Sequence, residues 1–378
     1  MKEPFGLYVH SPFCPQRCPY CAFAVVTGRD HMQERYIEAV CAELQMLGRG
    51  PLAPFDSVFF GGGTPSRVRP ALLAEVLDTA RRTFGITDDA EVTVEANPGS
   101  TDVTAYHSLR GLGFNRISIG AQSFVDDSLR RLGRIHSIAD VRRAFAGARE
   151  AGFDNINLDL IFSIPGSAED SWQRSLEAVI VLEPEHVSTY ALTIEPDTPF
   201  AGKVTAGQLC PHSEDASAEE YELAMRLLTD AGYEHYEVSN FCQPGRRCHH
   251  NWACWTGGEY LGVGVSAHSF RGECRSWNAR DLTVYIESVE AGRLPRAGEE
   301  EITESVARQE HLWLSLRTSE GFELLPHQLS ALTSDARTQA MMGAGYVEVE
   351  RSQLRLTSSG FAIADAVSVD VARVLEQA

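Results

Sequence analysis

Short apolar segments and segments of helical period alternate six times over residues 1–235, and no other feature restricts the available folds so much. Strands separated by helices run parallel, because a parallel pair needs a long crossover where an antiparallel pair needs only a tight turn. The strand candidates are 6–10, 57–60, 91–96, 116–120, 155–162 and 186–192; helical stretches fall at 31–48, 69–84, 102–112, 137–151, 168–182 and 217–231. The expected fold class is α/β, a partial TIM-like barrel of six β/α units.

Barrels of this kind place their chemistry at the C-terminal strand ends and in the loops that follow. The unusual residues fall there. "HSPFCPQRCPYCAF" (10–23) follows the first strand and "GGGTP" (61–65) the second; the third ends in "EANP" (95–98) and the fourth in "GAQSF" (120–124). The fifth, "NINLDLIF", alternates where a parallel strand usually reads as a continuous apolar run, so Asn155, Asn157 and Asp159 share one face. A carboxylate at Asp159 inside a barrel needs a partner. It belongs either to an internal polar network or to a ligand site.

Composition narrows the function. At 378 residues, 43% hydrophobic and 22% charged, the chain has a globular and not a disordered makeup. Its net charge of −19, from 52 acidic and 33 basic residues, argues against a nucleic-acid partner, whose phosphates need a basic footprint. The start, "MKEPFGLYVH", carries no apolar targeting segment and no long apolar run reads as a membrane span, so a cytoplasmic protein is expected. In that reducing compartment nine cysteines point to metal or redox chemistry before disulfides.

Residues 236–295, rich in Gly, Trp, His and Cys, are expected to add strands and loops that cover the barrel. Residues 296–378 read as a small α+β unit of winged-helix-like pattern, with helices over 301–317 and 325–343, a strand pair within 345–357 and a last helix from Ser358. It has no basic recognition helix, so DNA binding is not implied.

Cys14, Cys18 and Cys21 lie on a proline-broken loop able to bend around one inorganic centre. Structural zinc would need a fourth ligand. A 4Fe-4S cluster held by three thiolates leaves one iron open to a small molecule. A second group, Cys242, Cys248, His249 and His250, is open to two readings: a zinc site, or an aromatic core around a satisfied histidine.

C-x3-C-x2-C after the first strand, followed by a glycine-rich loop after the second, is similar to the radical S-adenosylmethionine (SAM) superfamily. "LYVHSPFC", "CPYCAF", "FFGGGTPS", "EANP", "ISIGAQSF", "LGRIH", "NLDLIFSIPG", "YALTIEPDTPF", "HHNWACW" and "YLGVGVSAHS" occur in that order. They resemble the landmarks of the subfamily of oxygen-independent coproporphyrinogen III dehydrogenases and HemW-type haem chaperones, over nearly the full length. The resemblance implies a radical SAM core at 1–235, a barrel-covering extension with an H-N-x-x-x-W motif at 236–295, and a C-terminal domain at 296–378.

It also implies a 4Fe-4S cluster on Cys14, Cys18 and Cys21, whose open iron is ligated by the amino and carboxylate groups of SAM. Reductive cleavage in this family gives a 5′-deoxyadenosyl radical, and the protein supplies placement and electrostatics. Tyr8 and Tyr20 would lie near SAM. Gly62, Gly63 and Thr64 match the turn whose missing side chains let backbone groups approach the methionine amino group. Glu95, Gln122, Arg134 and Asp159 match the remaining SAM positions: carboxylates and an amide suit ribose hydroxyls and the amino group, and a guanidinium suits the carboxylate.

Two features separate carrier from enzyme within this resemblance. The dehydrogenases carry a fourth cysteine two residues after the third, and the chaperones a phenylalanine; here the residue is Phe23. "HHNWACW" resembles the chaperones' H-N-x-x-Y-W motif, with His250 as the implied haem-binding residue and Cys254 in the place of the tyrosine. Ala22 stands where aspartate is common, Ser11 where an apolar residue is usual, and His268 matches a further family position. The expected function is a haem chaperone that binds haem and delivers it to haem-dependent proteins such as respiratory enzymes. A reductant would serve the cluster, and any membrane contact would be peripheral, through the clients. The alternative is radical oxidative decarboxylation of coproporphyrinogen III.

Overall fold

A computed structural model describes residues 5–48, 53–99 and 103–377; the first residue of the helix expected over 102–112 lies outside them. Six β/α units come first: β1 (Phe5–Ser11), α1 (Gln33–Leu47), β2 (Phe55–Gly62), α2 (Pro70–Thr83), β3 (Ile86–Ala96), α3 (Val103–Gly111) and β4 (Arg116–Gln122). Then follow α4 (Asp126–Arg131), α5 (Ile138–Glu150), β5 (Ile156–Phe162), α6 (Ser171–Leu182), β6 (His186–Ala191), α7 (Pro199–Thr205) and α8 (Glu214–Asp230). Strands β1 to β6 pair in sequence order, all parallel.

Each strand turns one face outward to the helices and the other inward. Leu7, Val58, Phe60, Val94, Ile117, Ile119, Leu158, Leu160 and Val187 are fully buried in the core under the helices. Burying each contributes about 2 kcal/mol. Many of the inward residues, one position out of phase, are polar, among them His10, Glu91, Glu95, Arg116, Asn157, Asp159 and His186. A closed eight-stranded barrel fills this space with apolar layers. The polar lining marks a lumen built to hold something.

From 234 onward the added strands extend the sheet at both edges. After β7 (Glu234–Glu237), β8 (Asn240–Cys242) and α9 (His249–Trp255) come β9 (Glu259–Val263), β10 (His268–Arg271), β11 (Cys274–Asn278), α10 (Leu282–Glu290) and β12 (Arg296–Glu301). The order is β12-β11-β10-β9-β1-β2-β3-β4-β5-β6-β8-β7. β9 runs parallel to β1, and the outermost strands are antiparallel. This order is linear, so the barrel is open. It curls nonetheless: the inward charges of Glu95 on β3, Asp159 on β5 and the ring of Tyr190 on β6 all lie within electrostatic reach of one another.

The last stretch comprises α11 (Glu304–Ser315), β13 (Phe322–Glu323), α12 (Pro326–Ser334), α13 (Ala336–Gly343), β14 (Val347–Glu350), β15 (Gln353–Leu356), α14 (Ser358–Phe361) and α15 (Ala364–Leu375), with a three-stranded sheet β13-β15-β14. The single helix expected over 325–343 is two. Asp335 ends the first and caps the second, its carboxylate accepting the N–H groups of Arg337 and Thr338.

Candidate active site and the cavity beside it

Two hollows open side by side at the lumen. The first, about 390 Å³, lies at the C-terminal strand ends and is lined by all three loop cysteines and by Tyr20, Gly62, Gly63, Thr64, Glu95, Gln122, Arg134 and Asp159. Every expected cluster- and SAM-site residue except Tyr8 therefore meets at one place.

The cysteine loop is held from both ends. Cys14 N–H donates to the Val26 carbonyl at 3.0 Å and Val26 N–H to Pro12 at 2.7 Å, closing the base of the loop. At its tip Cys21 N–H bonds the Cys18 carbonyl at 3.1 Å. Arg134 Nη1 donates to Cys18 Sγ at 3.6 Å and Nη2 to the Gly120 carbonyl at 3.2 Å, so one guanidinium ties this loop to β4. Burial pushes the Cys21 thiol up, and the neighbouring Cys18 and Cys14 add to that, while the Phe23 backbone N–H works against it.

The glycines serve the protein itself as well as any ligand. Gly62 has φ +111°, and a side chain there would meet the His10 ring at 2.6 Å. A Cβ at Gly63 would lie 2.9 Å from the backbone of Pro12 and Phe13, which lead into Cys14. The bare turn thus lets β2 end against the cysteine loop. Gln122 sits in left-handed backbone at φ 64°, beside a register shift in the β4–β5 pairing. Such a conformation in a non-glycine residue is strained, and it aims the amide toward the hollow.

Glu95 Oε2 accepts the Gly62 N–H at 3.0 Å. Burial and then the nearby Asp159 charge raise its pKa to about 8, while the Gly62 N–H and Arg116 pull it down. Asp159 is both things that its sequence setting allowed. It lines the hollow, and it ends a buried polar chain: Asn157 Nδ2 donates to Asp159 Oδ1 at 2.8 Å, His186 Nδ1 lies 2.7 Å from Asn157 Oδ1, and His186 Nε2 lies 2.7 Å from the Tyr236 hydroxyl. That hydroxyl accepts the Cys248 backbone N–H at 3.4 Å. The chain runs the depth of the lumen to the start of α9.

Tyr8 lines the second hollow, which has a volume of about 400 Å³, and its ring also lies beside Gly61 and Glu95 at the border of the first. It shares that lining with His10, Phe23, His250, Cys254 and His268. His250 projects from α9 into the lumen against Tyr8 and Phe59, with ring centroids at 6.3 and 5.3 Å. Its Nδ1 lies 3.3 Å from Ser57 Oγ, and Nε2 makes no hydrogen bond to any described residue. Burial pushes its pKa down to about 4, with Glu91 opposing and Arg116 assisting, so the ring is neutral at pH 7. Phe23, 67% exposed, borders both hollows and stands between them.

The zinc reading of the second group fails on placement. Cys248 turns its thiol to Glu91 at 3.4 Å, and among the described residues no three His, Cys, Asp or Glu side chains are gathered for a single ion. The sequence pointed to an internal polar network only around Asp159; its extension through His186 to Tyr236, and the second hollow, escaped it. The inward Arg116 and Ser118 of "RISIG" and the His186 and Ser188 of "HVSTYA" were the available signal for the first. The second is assembled from too many segments to show in any one.

The Radical SAM superfamily model matches residues 8–179, the part of the chain that holds β1 to β5 and the cysteine loop. The chain is 38% identical to the "Heme chaperone HemW" of Mycobacterium tuberculosis (strain CDC 1551 / Oshkosh), over 97% of this chain and 94% of that one. It is 33% identical to the "Heme chaperone HemW" of Bacillus subtilis (strain 168), over 83% of each. The solved structure of coproporphyrinogen III oxidase (HemN) from Escherichia coli, a radical SAM enzyme, superposes with a TM-score of 0.82 over 98% of this chain and 90% of that one; at 23% identity the likeness shows the fold.

The chain belongs to the HemW family within the radical SAM superfamily. A 4Fe-4S cluster and SAM are the cofactors that this membership implies. The residues present fit both. Each thiolate of a cubane ligates a different iron, so three thiols ringing one hollow suit a cluster although they do not converge on a single ion. Carboxylates, an amide and a guanidinium line the same hollow, as a zwitterionic sulfonium with a ribose requires.

Proposed function

We propose that the chain is a haem carrier of radical SAM architecture: it binds haem at His250 and delivers it to haem-dependent proteins, respiratory enzymes among them. In this reading Cys14, Cys18 and Cys21 ligate the 4Fe-4S cluster. Tyr20, Gly62, Gly63, Thr64, Glu95, Gln122, Arg134 and Asp159 hold SAM, Tyr8 acts from below that site, and a cellular reductant supplies electrons. Residues 1–235 form the cofactor-holding unit, 236–295 contribute α9 and most of the added strands, and 296–378 form the C-terminal domain apart from β12, which pairs with β11 in the large sheet. Haem is the cargo and the client proteins are the partners.

The observation that carries this reading is His250 itself. A neutral imidazole with an unbonded Nε2 stands at a hollow separate from the cysteine hollow, which is the state and access an axial iron ligand needs. The name "Heme chaperone HemW" of the relatives supports it. No helix among the described residues is long and apolar enough to cross a membrane, which agrees with a cytoplasmic carrier that meets membranes only through its clients.

Haem titration of the anaerobically reconstituted protein tests the assignment. The wild type should take up haem one to one with a defined Soret band, and His250→Ala should bind more weakly with a shifted band. An unchanged band and affinity in the variant would return His250 to a packing role.

A further inference from the structure

The second hollow has a chemical character unlike the rest of this acidic protein. Its lining contains no aspartate or glutamate, in a chain of net charge −19. Tyr8, Phe23 and Tyr260 offer aromatic faces, and His250 offers an imidazole nitrogen. One guanidinium, Arg280, belongs to the lining. Its Nη2 donates to the Ala22 carbonyl at 2.9 Å, and it forms no ion pair with a described carboxylate. Arginines that do pair with acids are common elsewhere on the surface, for example Arg35 with Glu290 and Arg275 with Glu300.

A ligand complementary to this set is flat and apolar, carries a metal that accepts an imidazole, and ends in an anionic group. We propose that the second hollow is the seat of haem and that Arg280 binds one of its propionates, with Phe23 forming the aromatic wall that divides haem from the cysteine hollow. The assignment rests on the haem-carrier reading and adds the position and polarity of the ligand to it. Because Arg280 holds the carbonyl of Ala22, the residue next to Phe23, the anion contact and the aromatic wall are fixed to each other.

The test uses two ligands and two variants of the full-length, cluster-loaded protein. Haem presents free propionates and haem dimethyl ester has them blocked. Arg280→Gln removes the charge and keeps a polar side chain; Arg280→Lys keeps the charge. Loss of a charge-assisted hydrogen bond should weaken haem binding about tenfold in Arg280→Gln. Arg280→Lys should recover most of that, and the ester should bind all three proteins alike. Equal haem affinity in wild type and Arg280→Gln, or an equal loss for haem and ester, would overturn the propionate assignment. A wild type that binds neither ligand would instead overturn the haem-carrier reading beneath it.

Discussion

Glu91 Oε1 on β3 accepts the backbone N–H of His250 at 3.4 Å, together with that of His249 at 3.1 Å. One inward carboxylate thereby fixes the start of α9 within the lumen and sets where the His250 ring stands. The same carboxylate lies 3.9 Å from Arg116, which is fully buried. Glu91→Ala should remove the anchor and leave that guanidinium without its counter-charge, at a cost of about 3 kcal/mol. Urea denaturation should show the loss, and haem affinity should fall with it; an unchanged midpoint would mean that α9 is held by packing alone.

Cluster and haem should be separable by mutation. Cys18 lines the first hollow and His250 the second. Cys18→Ser should lower iron and sulfide content after reconstitution while leaving the haem Soret band and affinity near those of the wild type. Joint loss of both would place haem on the cysteine loop.

Gly63→Ala tests the close approach of β2 to the cysteine loop. The added carbon would meet the Pro12 and Phe13 backbone at 2.9 Å, so the strand end or the loop has to move. Overpacking of this kind costs about 1–3 kcal/mol. Iron uptake on reconstitution should fall, since the displaced segment leads into Cys14. Full iron content in a stable variant would show that the loop adapts freely.

The parallel strands and their helices were legible because apolar runs of strand length recur between helix-period segments, and the three cysteines, glycine turn and "EANP" all fall at strand ends. What escaped was set by tertiary contact. β3 begins at Ile86, through Asp88 and Asp89 that read as loop, because pairing at Phe55↔Ile86 extends it. α4, "DDSLRR", is too short and polar to show a period. The added strands were expected, but the places of β9 to β12 along the sheet edge were not legible, because edge strands of an antiparallel extension tolerate glycine and charge. Tyr8 was grouped with the SAM residues by the family resemblance; its ring lines the second hollow against the His250 ring while also lying beside Glu95. Arg280 carries no motif at all; its significance arises only from the acid-free lining that it joins.

Proton competition offers a different check on His250. An exposed imidazole takes up a proton near pH 6.5, whereas burial holds this one down to about 4. Iron and proton compete for the ring, so haem affinity should stay level from pH 8 to about 5 and decline only as pH falls toward 4. The same depression affects stability. The unfolded ring binds a proton near 6.5 and the folded ring does not, so stability rises with pH across 4 to 6.5 and is lost on acidification, by up to about 3 kcal/mol. A haem-affinity midpoint near pH 6.5 would mean that the ligating imidazole is an exposed one.

The most direct test of the carrier reading is a single anaerobic experiment in which reconstituted protein, SAM and a reductant are offered haem and coproporphyrinogen III in parallel. A haem carrier should show stoichiometric haem uptake, release of that haem to an apo haem protein, and no protoporphyrinogen IX. Sustained conversion of coproporphyrinogen III to protoporphyrinogen IX, without stable haem binding, would contradict that reading.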